Sequence, residues 1–158
     1  VISLLAGLDK ALSRLLVMLV AAIVICVCWQ VLSRYVTQTP SAYSEEIARF
    51  LLIWLGILGS AYAYRTGAHL GLDLLVNQLP KLLRRRIEML VHILVLTFSL
   101  AVMVVGGICL MALAIDPGQY SSAMEVNMAW VYAALPISGS LMAFYALAAL
   151  FIPVEEEQ

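Results

Sequence analysis

Four apolar segments, each long enough to cross a bilayer, constrain this chain of 158 residues more than any other feature. A helix needs about 20 residues to cross the hydrocarbon layer. The segments run from Leu12 to Leu32, Ser44 to Tyr64, Ile87 to Ile115 and Met128 to Ile152. A backbone in lipid has no water to bond, so only helices and closed barrels are open to it. The segments are too long for barrel strands and show no period-two alternation, which predicts helices. The third is the longest and is expected to tilt or project from the membrane. The predicted fold is one all-α integral membrane domain over residues 1–158, with four transmembrane helices.

Composition agrees. Hydrophobic residues make up 64% of the chain and charged residues 12%, against ~45–50% and ~25% in ordinary soluble domains. Basic residues are few, and the one dense group, "KLLRRR", flanks an apolar run as a membrane anchor does. No nucleic-acid partner is expected. Cys26, Cys28 and Cys109 all lie in apolar runs, an odd set without ligand spacing. That argues against a disulfide framework or a metal site. The first apolar run exceeds a signal-peptide core and no cleavage site follows it, so it is expected to remain as a span.

Charge sets the expected orientation. Lys10, Arg14, Arg65, Lys81, Arg84, Arg85 and Arg86 fall on one side, and only Arg34 and Arg49 near the other. The third connection, "DPGQYSSAMEVN", has no basic residue. The positive-inside rule puts both termini and the second connection in the cytoplasm. Lys81, Arg84, Arg85 and Arg86 are then candidates for contact with lipid headgroups. In "HLGLDLLVNQLP", Leu72, Leu75, Val76 and Leu79 recur at helical spacing. This predicts a short amphipathic interfacial helix over about 70–79, ended by Pro80. The N-terminal "VISLLAGLDKALSRLL" has similar spacing and is expected to lie partly along the membrane before turning in.

The second segment opens with charges: "SEEIARFLLIWLGILGSAYAYRTGAHL". At about 100° per residue, Glu45, Arg49, Leu52, Gly56, Gly59, Ser60, Ala63 and Gly67 share one stripe. Trp54 and Arg65 fall opposite. Small stripes let helices approach closely in lipid, so this is a candidate packing surface with a charged head. Glu45 and Arg49 have the favourable i, i+4 order, predicting an ion pair partly buried near the interface. Thr39, Ser41 or Ser44 is expected to cap the helix. Glu46 lies off the stripe; its loss is expected to spare folding, with any role beyond helix capping lying in partner docking or in transport as an ion carrier. These charges sit near an interface, not at mid-depth where ion-coupling carboxylates lie.

Other features have plain readings. His69 and His92 fall near helix ends, where a bis-His haem is conceivable but interfacial polar residues suffice. Gly106-Gly107 marks close packing or a weak point, Pro136 a kink, and Tyr120, Trp130 and Tyr132 an aromatic belt. There is no catalytic set, phosphate loop or metal cluster, so no enzyme and no cofactor are expected. A self-contained four-helix exporter would need a carboxylate at mid-depth, and none of Glu45, Glu46 or Glu125 lies there. A haem-binding anchor of a respiratory enzyme would show a Soret band.

The stretch from Arg34 to Leu75 resembles the small membrane subunit (DctQ-like) of tripartite ATP-independent periplasmic (TRAP) transporters. The shared features are "RYVTQTP", Glu45-Glu46, Arg49, Trp54, Gly59, and Gly67 with His69 before an amphipathic stretch. The family often carries Trp where Tyr43 stands. The resemblance implies a bacterial inner-membrane protein with a large multispan partner, which holds the substrate and sodium sites. It also implies a soluble periplasmic binding protein that delivers an organic acid, such as a C4-dicarboxylate or a sialic acid. The small subunit would be a scaffold, with Arg34, Glu45, Glu46, Arg49, Gly56, Gly59, Ser60, Ala63, Gly67 and His69 as partner-interface or structural candidates.

Overall fold

The computed structural model describes residues 2–37, 41–67 and 81–151. Its elements are helices, with no strand among the described residues. The amphipathic helix expected over about 70–79, together with His69 and Pro80, lies outside them.

Helix α1 spans Ile2–Leu32 and continues as a π-helical stretch over Ser33–Thr37. Its 31 residues rise ~46 Å at 1.5 Å each, more than the ~30 Å hydrocarbon layer needs. The N-terminal stretch therefore does not lie down separately, as its spacing suggested. It is the first part of one long helix, because no glycine-proline break or cap interrupts "SLLAGLDKALSRLL". Helix α2 spans Ala42–Arg65. The third span is a continuous rod: α3 over Lys81–Phe98, a π-helical stretch over Ser99–Gly106, and α4 over Gly107–Ile115. The fourth comprises α5, Ala129–Tyr132, and α6, Ala134–Phe151. Pro136 was expected to kink it. The span is interrupted at Ala133, one turn before Pro136, which has no N–H for the Tyr132 carbonyl and whose ring crowds it. Leu5–Val36, Ala42–Arg65, Leu83–Ile115 and Ala129–Phe151 are long and apolar enough to cross a membrane.

The fourth span is central: the second and third both pack on it, while the first packs on the second. Leu5, Leu12, Leu58 and Tyr145 form a buried cluster with Trp54 and Tyr62 against it. Closest approach occurs between the third and fourth spans. A Cβ on Gly139 would meet Met103 Cβ at 2.6 Å and the Ser99 carbonyl at 3.1 Å. One on Gly107 would meet Pro136 Cδ at 2.7 Å. Gly107, of the conspicuous glycine pair, thus marks close packing, while Gly106 has open space. The π-helical stretch supplies Ser99 and Met103, both buried, to this seam.

Hydrogen bonds add to the packing. The Ser138 hydroxyl, fully buried, donates to the Ile57 carbonyl at 2.6 Å and joins the fourth span to the second. On the face of the bundle that carries the basic helix ends, Arg65 Nε donates to Asp9 Oδ2 at 3.2 Å. The Arg65 guanidinium also lies 5.9 Å from the Tyr145 ring centre, within cation–π range. Tyr64 Oη and His92 Nδ1 are 2.6 Å apart, tying the second span to the third. On the opposite face Gln30 Nε2 and the Cys26 thiol both donate to the Ser44 carbonyl, at 2.9 and 3.1 Å.

This packing separates two classes of glycine. Gly139→Ala inserts a methyl group into a filled seam, an overpacking that costs about 1–3 kcal/mol. Gly56→Ala meets nothing within 4 Å and gains helix propensity. Thermal unfolding of the purified chain in detergent should show a lower midpoint for Gly139→Ala and an equal or higher one for Gly56→Ala. Equal midpoints for Gly139→Ala and wild type would refute the seam.

Candidate functional site

The second span begins at a cap. The Ser41 hydroxyl accepts the Ser44 N–H, which satisfies one of the free donors at the helix start. Glu45 follows in the first turn, where the helix dipole favours anions, and Glu46 is the next residue. Arg49 Nη2 donates to Glu45 Oε1 at 3.2 Å, the pair expected from the spacing. Its setting differs from the expectation. The side chains are 66% and 69% exposed, for Arg49 and Glu45 respectively. Among the described residues no other helix covers that side of α2, so the pair is outward-facing and worth only about 0–1 kcal/mol.

The rest of the stripe faces the same way. Leu52, Gly56 and Ser60 are exposed, Gly59 and Ala63 half-buried. A Cβ on Gly56 or Gly59 would meet nothing within 4 Å. The Ser60 hydroxyl returns to its own helix, donating to the Ile57 carbonyl at 2.7 Å. The close contact that small residues permit is therefore not made among the described residues. Trp54, on the opposite side, packs against the buried cluster. Gly67 ends the turn after α2 with φ of 67°, a left-handed conformation that suits glycine, and its N–H donates to the Tyr64 carbonyl. Arg34 is exposed in the stretch after α1. Lys81 begins α3; Arg84 Nε donates to Glu88 Oε1 at 2.8 Å, and Arg85 and Arg86 are exposed.

Glu46 has a role that the sequence did not suggest. Its Oε1 accepts the Ser122 N–H at 3.2 Å, and its Oε2 accepts those of Ala123 and Met124 at 3.1 and 2.9 Å. Three successive backbone donors of the third connection thus converge on one carboxylate of the second span. Such charge-assisted bonds are shorter and stronger than neutral ones. This carboxylate, off the stripe, is the tie between α2 and the connection from Asp116 to Met128. No side-chain pattern could have announced this, because the donors are main-chain groups.

The chemistry on offer is structural. The ion pairs found lie toward helix ends: Glu45 with Arg49, Asp9 with Arg65, Arg84 with Glu88. Among the described residues no three His, Cys, Asp or Glu side chains cluster to hold a metal. His92 already engages Tyr64 through Nδ1. The two grooves, about 550 and 500 Å³, are apolar and open at the bundle surface.

Sequence comparison gives this arrangement a context. Residues 23–155 match the family model described as tripartite ATP-independent periplasmic transporters, DctQ component. The chain is 28% identical over 138 residues to the sialic acid TRAP transporter small permease protein SiaQ of Vibrio cholerae, covering 84% of this chain and 75% of that protein. It is 31% identical over 111 residues to the C4-dicarboxylate TRAP transporter small permease protein DctQ of Rhodobacter capsulatus, covering 69% and 48%. It is 32% identical over 115 residues to the sialic acid TRAP transporter permease protein SiaT of Haemophilus influenzae. There the match takes in 73% of this chain but only 18% of the relative.

The geometry separates two neighbouring carboxylates. Glu46→Gln removes the charge that three backbone donors share, so residues 122–124 should exchange amide hydrogen faster and the unfolding midpoint should fall by several degrees. Glu45→Gln should leave both nearly unchanged. A double-mutant cycle of Glu45 and Arg49 should give a coupling below about 1 kcal/mol. Protection at 122–124 that survives Glu46→Gln would refute the tie.

Proposed function

Because this chain belongs to the DctQ component family of tripartite ATP-independent periplasmic transporters, we propose that it is the fixed small subunit of a sodium-driven importer of organic acids. In this reading a large multispan permease carries the substrate and sodium sites. A soluble periplasmic protein delivers the acid. This chain holds the large subunit in the bilayer and transports nothing alone.

The carrying observation is the contrast between closed and open helix faces. Gly139 and Gly107 are filled by neighbours in the same chain, whereas Gly56 and Gly59 face open space beneath an exposed ion pair. Lipid tails do not need a small, polar-headed stripe; another helix does. The stripe is therefore assigned to a helix of the large subunit. The match to a small part of the much longer SiaT permease supports a partner of this kind, since a chain like this one there forms part of a larger polypeptide. The ion pairs at helix ends give no route for a charged substrate through mid-membrane. The relatives' names, sialic acid and C4-dicarboxylate transporters, support an organic acid as cargo.

The basic helix ends are assigned to the cytoplasm, with both termini there, and the connection from Asp116 to Met128 to the periplasm. Lys81, Arg84, Arg85 and Arg86 would then lie among anionic headgroups, which attract each such residue by about 1 kcal/mol.

Two measurements check this. Liposomes holding the large subunit, supplied with its binding protein, should take up substrate only when this chain is present. Gly56→Leu should reduce co-purification with the large subunit while the isolated chain keeps its unfolding midpoint. Full uptake without the chain ends the scaffold reading. For orientation, a Lys81→Cys variant lacking Cys26, Cys28 and Cys109 should resist an impermeant thiol reagent in intact cells, and ready labelling inverts the topology.

A further inference from the structure

We propose that the acidic segment after the fourth span, Glu155 to Glu157, docks on the basic start of α3 and closes that end of the bundle. The start of α3 is electrostatically unbalanced. Its first turn holds no acidic residue, and Arg84, Arg85 and Arg86 follow in succession. The start of a helix already carries partial positive charge and favours anions. Here arginines stand close behind it instead. Arg84 pairs with Glu88 of its own helix. Arg85 and Arg86 are exposed and make no ion pair among the described residues.

Arg85 stands on the side of α3 that faces the bundle. Arg85, His92 and Ser99 follow one another at heptad spacing, which drifts by only ~20° around a helix. His92 bonds Tyr64 of the second span, and the Ser99 carbonyl lines the seam at Gly139. The third and fourth spans run antiparallel, with Gly107 beside Pro136 and Gly139 beside Met103. Carried along both helices from Gly139 and Met103, that register sets Phe151, the last residue of α6, about level with Val91. From Val91 to Arg85 α3 rises a further ~9 Å, so Arg85 stands past the end of α6. The chain leaving α6 reads "IPVEEEQ". From Phe151 to Glu155 it spans at most ~14 Å, enough to bring the carboxylates beside Arg85. The bundle side of α3 thus turns cationic at the level where the chain beside it turns anionic, and residues 152–158 contain no lysine or arginine. Lipid headgroups then compete with the segment for Arg85 and hold Arg86, which lies ~100° further round.

The test uses the whole chain in nanodiscs of a zwitterionic lipid, without Cys26, Cys28 and Cys109, spin-labelled through Leu83→Cys and Gln158→Cys. The distance between the labels should form a narrow distribution. High salt should broaden it, because exposed charges are screened, and so should the combined changes Glu155→Gln, Glu156→Gln and Glu157→Gln. Arg85→Glu with Arg86→Glu should broaden it as well. Adding Glu155→Lys, Glu156→Lys and Glu157→Lys to that reversal should narrow it again. The triple Gln variant should also bind phosphatidylglycerol about fivefold more tightly, the factor that one freed arginine supplies near a headgroup. A distribution that is broad in the unaltered segment, or that ignores both salt and the triple Gln variant, would overturn the proposal. Failure of the double reversal to narrow it would do the same. Broadening by Asp73→Asn but not by the triple Gln variant would overturn it too, giving the basic start of α3 to the second connection.

Discussion

Helices in lipid gain little by burying apolar area against one another, because lipid tails are as apolar as leucine. They must be held by close van der Waals contact and by hydrogen bonds. In this chain the closest contact is the seam between the third and fourth spans. The absent side chains of Gly139 and Gly107 let Met103, Ser99 and Pro136 approach within touching distance. The rest of the bundle is arranged around it. The fourth span lies between third and second, bonded to the second through Ser138 and Ile57. The first span is outermost and meets mainly the second. Remove the seam and the fourth span loses one of its two walls.

Polar ties do a different job at the two ends. At the basic face, Arg65 joins Asp9 and lies over Tyr145, so one side chain of the second span touches the first and the fourth. At the opposite face, Ser44 receives Gln30 and Cys26, while Glu46 receives the third connection. Side chains near the interfaces keep their charges close to water, where desolvation is cheaper than at mid-depth. The second span takes part in all of these ties, and yet its Glu45–Gly56 side is left uncovered. It is fastened by its back and its ends.

The sequence makes the spans legible because membrane thickness sets their length, independent of packing. The four helices follow from that, and so does the membership of a transporter family, carried by Glu45-Glu46, Arg49, Trp54 and Gly59. The stripe was legible from helical spacing; whether it closed on this chain or stayed open was not, since periodicity says nothing of which neighbour arrives. The partners of Glu46 were not legible for a similar reason. Its bonding partners lie 76 to 78 positions away along the chain and are backbone amides, which every residue but proline carries. Pro136 was legible: the fourth span is interrupted at Ala133, one turn before the proline, where its missing N–H leaves the Tyr132 carbonyl unbonded by the helix. Gly139 drew no notice beside the conspicuous Gly106-Gly107 pair, though it makes the tighter contact.

A scaffold and a moving transporter make opposite demands on a helix bundle. A moving part needs two arrangements of similar energy, whereas packed seams resist intermediate positions because interiors deform little. Every tie described here favours one arrangement. The seam leaves no free space at Gly139, the Ser138 bond is fully buried, and Glu46 secures an otherwise irregular connection to a helix start. Rigidity of this kind is useful when the work is done by something held against it. On the function proposed above, the open side of α2 takes its use from the closed ones: a face backed by well-packed seams is suited to fix the position of another helix in the membrane.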